Sequence, residues 1–119
     1  MEYYEKNGQI AVLVSHGFGA GWSTWNTKEL AYDKRVVEFW LSRKDDQKFM
    51  KAISSFGDNN IKKETVELFA TMGYSHVYFG GFRDIEIEWV NKGKPFVIQE
   101  YDGSETIVTI DNAGFITLG

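Results

Sequence analysis

The chain has 119 residues, one proline, no cysteine and a formal net charge of -4 at pH 7. This fits one domain over residues 1–119 and excludes disulfide and thiolate chemistry. The acidic balance argues against direct nucleic-acid binding, in which Lys and Arg contacts to phosphates dominate affinity.

In chain order, Met1-Glu2-Tyr3-Tyr4-Glu5-Lys6 lacks a basic-then-apolar leader pattern, and no apolar run reaches membrane-spanning length. The expectation is a cytoplasmic protein that makes no membrane contact. Gln9 to Ser15 is a β-branched apolar run bounded by Asn7-Gly8 and by glycines, and its lack of alternation predicts a strand covered on both faces. Thr27 to Tyr32 reads as loop or a short helical turn. Asp33 is the expected cap of a helix over Lys34 to Arg43 that buries Val36, Val37, Trp40 and Leu41. Asp46 introduces a second helix from Gln47 to Ser55, with Phe49, Met50, Ile53 and the following Phe56 inward and Gly57 ending it. A third is expected from Ile61 to Met72, capped by Asn59 or Asn60, stopped by Gly73, with Ile61, Leu68, Phe69 and Met72 inward.

Beyond His76 the period becomes two. Val77-Tyr78-Phe79 reads as a short strand, and Ile85-Glu86-Ile87-Glu88-Trp89 as a strand with Ile85, Ile87 and Trp89 toward the core. Asn91 to Lys94 is a turn, and Pro95 begins the next strand, where it sacrifices least. Phe96 to Tyr101 and Ser104 to Ile110 flank Asp102-Gly103, a strong two-residue hairpin signal. Phe115 to Leu118 adds a terminal strand. The fold class is α+β: a mainly antiparallel sheet, made of the N-terminal strand and the C-terminal hairpins, covered on one face by about three short helices.

The stretch from Ser15 to Asn26 gathers three glycines, two tryptophans and one of the two histidines of the chain. Glycine loses the most backbone freedom on folding, so this composition suggests sharp turns or close approach to the backbone. Hairpin register adds a second candidate feature. With Asp102 and Gly103 central, Glu100 opposes Glu105, and pairing across Lys92-Gly93 sets Trp89 against Phe96, Ile87 against Ile98 and Ile85 against Glu100. Like charges directly opposite need a cation, a shared proton or water, and Arg83 is the cation nearest in register. A structural ion pair, a metal site and a polar pocket floor are the three readings of this pair.

Val12 to Gly19 looks like the first-strand and oxyanion-loop segment of α/β-hydrolases, which would imply a Ser-His-acid triad elsewhere. The nucleophile elbow is missing. Gly73-Tyr74-Ser75-His76-Val77 ends in valine and precedes a predicted strand, whereas an elbow joins a strand to a helix. No catalytic residue is assigned and the chain is read as a non-enzyme. Gly17-x-Gly19-x-Gly21 also departs from both the dinucleotide fingerprint and the P-loop. A pocket on this loop would still suit a nucleotide-like ligand, with Trp22 or Trp25 stacking on a base and Arg83 meeting a phosphate. Trp22 and Trp25 serve equally well as lids folded over the core. His16 and His76 are too few for a metal cluster, and neither a metal nor another cofactor is expected.

Three segments occur together: Gly17-Phe18-Gly19-Ala20-Gly21-Trp22-Ser23-Thr24-Trp25-Asn26, Gly80-Gly81-x-Arg83-Asp84-x-Glu86-Ile87-Glu88-Trp89-Val90 and Glu100-Tyr101-Asp102-Gly103-Ser104-Glu105. In these the chain resembles, over nearly its whole length, a family of small proteins found in bacteriophage and prophage genomes. The resemblance implies an accessory protein acting inside an infected bacterium, of a kind that often blocks CRISPR nucleases or nucleotide-signal immunity. Nineteen residues are aromatic (four Trp, six Tyr, nine Phe), more than one small core ordinarily needs, so some are expected on a surface that meets a partner. Two functional expectations follow. In the first, exposed aromatics and the carboxylates of Asp84, Glu86 and Glu88 bind a host protein. In the second, a small molecule sits between the loop residues His16, Gly17, Gly19, Gly21, Trp22, Trp25 and Asn26 and the sheet end at Arg83, Glu100, Asp102 and Glu105. Self-association as a homodimer is compatible with either.

Overall fold

The computed structural model describes residues 1–109 and 118. A turn with positive φ at Asn7 and Gly8 joins β1 (Glu5–Lys6) to β2 (Gln9–Ser15), and β3 (Ile85–Asn91) pairs antiparallel along the whole other edge of β2. A separate antiparallel hairpin consists of β4 (Phe96–Tyr101) and β5 (Ser104–Thr109). Between β2 and β3 the chain forms α1 (Lys34–Arg43), α2 (Gln47–Ser54) and α3 (Asn60–Thr71). The architecture is therefore α+β, with three helices and two antiparallel sheets. No helix among the described residues is long and apolar enough to cross a membrane.

Strand β2 lies at the centre of three layers. Ala11 and Leu13 face the helices, joining Trp22, Leu30, Val37, Phe69 and Phe82 in one apolar cluster. Ile10, Val12 and Val14 face the β4–β5 hairpin, where Phe96, Ile98 and Ile107 meet them, and Val90 of β3 joins the same cluster. Cover on both faces accounts for the unbroken apolar run, since alternation is needed only where one face meets water.

The caps fall where side-chain chemistry requires them. Asp33 accepts the N–H of Arg35, Asp46 that of Phe49 and Asn59 that of Lys62, each within 3.0 Å. Each satisfies an N–H left orphaned at a helix start. Asp33 does more than cap: it takes Arg35 Nε and Nη2 at 3.2 and 2.7 Å and the Tyr74 hydroxyl at 2.7 Å, tying α1 to the segment after α3. Burial pushes the Asp33 carboxyl up, but the bonds from Arg35 and Tyr74 outweigh it and hold the group below its ordinary range.

Several expectations are corrected. Strand β3 pairs with β2 and not with β4, so Trp89, Ile87 and Ile85 do not oppose Phe96, Ile98 and Glu100. The cause lies in the turn: Lys92 N–H donates to Gly8 O and Gly93 N–H to Leu118 O, and Pro95 has no N–H for a ladder. The chain thus leaves the plane of the first sheet and crosses to the second layer. Trp89 is partly exposed beside the ring of Tyr4. Val77 to Phe79 is not a strand; Asn26 occupies the place of a neighbouring strand there, accepting Tyr78 N–H and donating to Tyr78 O, both at 2.9 Å. Phe56 and Leu68 are exposed rather than inward, because Ile53 and Phe69 already fill the cluster beneath them. The expected terminal strand at Phe115 to Leu118 falls mostly outside the described residues.

Candidate functional site

The glycine-rich stretch is a closed loop built around an anion supplied by the chain itself. Glu105, on β5, has no exposed surface. One carboxylate oxygen accepts Ser15 N–H at 2.8 Å; the other accepts Trp22 N–H and Thr24 N–H at 3.0 Å and the Thr24 hydroxyl at 2.5 Å. Backbone N–H groups that converge on a point form an anion cradle, and here Glu105 fills it. This resolves the Glu100/Glu105 opposition. The two residues do pair in register, but Glu105 turns inward to four donors while exposed Glu100 accepts the N–H of Gly103 at 3.3 Å. Among the described residues no cation pairs with Glu100 or Glu105, and Arg83 forms no ion pair.

A second contact completes the closure. Gly19 N–H donates to Asp102 O at 2.6 Å, and the Ser104 hydroxyl donates to His16 O at 3.3 Å. Gly103, at φ +87, lies so close to Ala20 that a Cβ there would overlap the Ala20 backbone. Asp102 and Gly103 both have positive φ, as a type I′ turn requires, and Gly103 must also lack a side chain for the hairpin tip to seat in the loop.

The two tryptophans separate. Trp22 is wholly buried, its indole N–H donating to Leu30 O at 2.9 Å and its rings meeting Phe69, Phe79 and Phe82. It is a core residue, and the expectation that it stacks on a ligand is corrected. Trp25 is partly exposed and stacks on Tyr78 at 5.9 Å with 20° between the planes. Gly17 packs on the Asp84 side chain, and Gly21 lies beneath the Trp25 ring. Asn26 ties the loop to Tyr78 as described above and also donates to Trp22 O at 3.0 Å.

Outside the latch, the surface is aromatic and acidic. Phe18 and Tyr101 are 72% and 79% exposed and flank the Gly19–Asp102 hydrogen bond. His16 Nε2 lies 3.7 Å from Glu86 and 3.5 Å from Glu88. His16, Glu86, Glu88, Glu100 and Asp102 are therefore collected at one end of the sheets, while Trp22 is buried beneath it. Among the described residues, no group of three or more His, Cys, Asp and Glu side chains is arranged to hold a metal ion. The sequence reading did not single out Phe18, Thr24, Tyr78 or Tyr101. Thr24 is not readable because its partner lies 81 residues away, whereas Phe18, between Gly17 and Gly19, and Tyr101, just before the Asp102-Gly103 turn, are legible as exposed aromatics in turns.

No protein-family model, curated protein or solved structure matches the chain.

Proposed function

We propose that the chain is a non-catalytic accessory protein of bacteriophage type that binds a basic surface of a host protein and modulates it, as a defence-system inhibitor of the anti-CRISPR kind. The observation that carries this reading is the exposure of Phe18 and Tyr101 on a loop whose backbone is locked from within by Glu105. A locked loop has already met the entropic cost of ordering its contact residues, so aromatic burial goes further toward affinity. The carboxylates of Glu86, Glu88 and Asp102 around it would steer and register a basic partner.

The resemblance to phage-encoded proteins supplies the host context, and the net charge of -4 agrees with a basic target. The test is affinity capture from bacterial lysate with the wild-type chain and with the Phe18→Ala/Tyr101→Ala double variant, with mass spectrometry of small molecules released on heating. A host protein held by the wild type, lost with the variant and weakened by added salt supports the reading. Equal retention by both chains, or release of a nucleotide-like ligand with no protein, overturns it.

A further inference from the structure

Phe56, just beyond α2, has a relative exposure of 105%, the highest among the exposed large apolar residues. A lone exposed hydrophobe is ordinary, but this one borders a concavity of roughly 270 Å³ lined by Ile53, Val66, Val77 and Phe79. The segment carrying it is pinned. Asn59 Nδ2 donates to Ala52 O at 3.0 Å and to Ser55 Oγ at 3.1 Å, and the Lys62 ammonium donates to Gly57 O at 2.8 Å and to Ser55 O. The phenyl is therefore presented on a fixed backbone beside a hole of matching chemistry.

Lys62 and Val66 also line a second concavity along α3, next to the first. Around it stand Lys62 and Lys63 against Asp58 and Glu67, a rim balanced in sign. Such a rim selects neither an acidic nor a basic partner, but under a two-fold axis it can set each charge against its opposite. A knob and a hole side by side on one patch are what a self-complementary interface requires. We infer that this face is a two-fold interface between two copies of the chain, with Phe56 of each entering the concavity of the other. The inference does not depend on the partner surface around Phe18.

Sedimentation velocity of the wild type and of Phe56→Ser, from micromolar to millimolar concentration, tests this. Loss of one buried phenyl on each side is expected to weaken self-association by roughly 30-fold or more, with the circular dichroism of the dilute chain unchanged. In the wild type, the amide resonances of Val77 and Phe79 should shift on dilution, a readout that needs no variant. A wild type that stays monomeric throughout, or a Phe56→Ser chain that associates as strongly as the wild type, overturns the inference.

Discussion

The carboxylate of Glu105 accepts the backbone N–H of Trp22 at 3.0 Å across a separation of 83 residues, joining the C-terminal hairpin to the loop that leaves the central strand. With its bonds to Ser15 and Thr24, it makes the glycine loop a latch whose inner donors are already used.

Replacing Glu105 by Gln keeps the shape but turns one acceptor oxygen into a donor facing N–H groups. Leaving a buried donor unmatched costs about 1–3 kcal/mol, so Glu105→Gln should lower unfolding stability by that amount in urea titrations. Thr24→Val, which removes one hydroxyl donor, should cost less, on the order of 1 kcal/mol. The two effects should not add, because both act on one network.

Gly103 and Gly93 separate backbone strain from loop contact. Both have positive φ, +87 and +81, but a Cβ on Gly93 meets open space while one on Gly103 meets the Ala20 backbone. Gly93→Ala should cost about 1–2 kcal/mol from the left-handed conformation alone. Gly103→Ala should cost clearly more, with the excess measuring the seating of the hairpin tip; equal losses in chemical denaturation would show that the tip is not seated.

The tryptophans should behave oppositely. Trp22→Ala empties a wholly buried site and is expected to cost about 3–5 kcal/mol, which makes it a stability variant and not a binding probe. Trp25→Ala, at a partly exposed position, should stay within about 1 kcal/mol of wild type. Thermal unfolding of the two chains under one set of conditions makes the comparison.

Stability should depend on pH through Asp33. Its folded pKa lies below the ordinary 3.8, so its contribution is complete above that value and is lost as pH falls through the lower folded value. Asp33→Asn preserves a good N-cap but weakens the links to Arg35 and Tyr74. The stability gap between wild type and Asp33→Asn should therefore be constant at pH values above the ordinary carboxylate range and shrink as pH falls through 3.8 and below it, as followed by urea unfolding at stepped pH.

Much of the fold is legible locally. Asp33, Asp46 and Asn59 mark the three helix starts because each cap acts within three residues, and Asp102-Gly103 marks its own hairpin because a type I′ turn admits few other pairs. Asn7-Gly8 carries the same signal for the β1–β2 hairpin, although the sequence reading takes it only as a strand boundary. What is not legible is long-range. Nothing near Ile85 says that β3 will pair with β2 rather than with β4. The register does expose the conflict between Glu100 and Glu105, but its solution comes from N–H groups of a distant loop. Trp22 and Trp25, three residues apart in one loop, have opposite fates that only their distant partners decide: Trp22 joins the cluster beneath the helices and Trp25 lies partly exposed on Tyr78.

The most direct measurement is native-state hydrogen exchange of the Ser15, Trp22 and Thr24 amides by NMR, in the wild type and in Glu105→Gln. A latch closed on Glu105 predicts that all three are protected far above the exposed loop amide of Phe18 in the wild type, and that the substitution accelerates them selectively while the amides of α1 and α3 keep their protection. Exchange at Trp22 and Thr24 as fast as at Phe18 in the wild type, or unchanged by the substitution, would contradict the account.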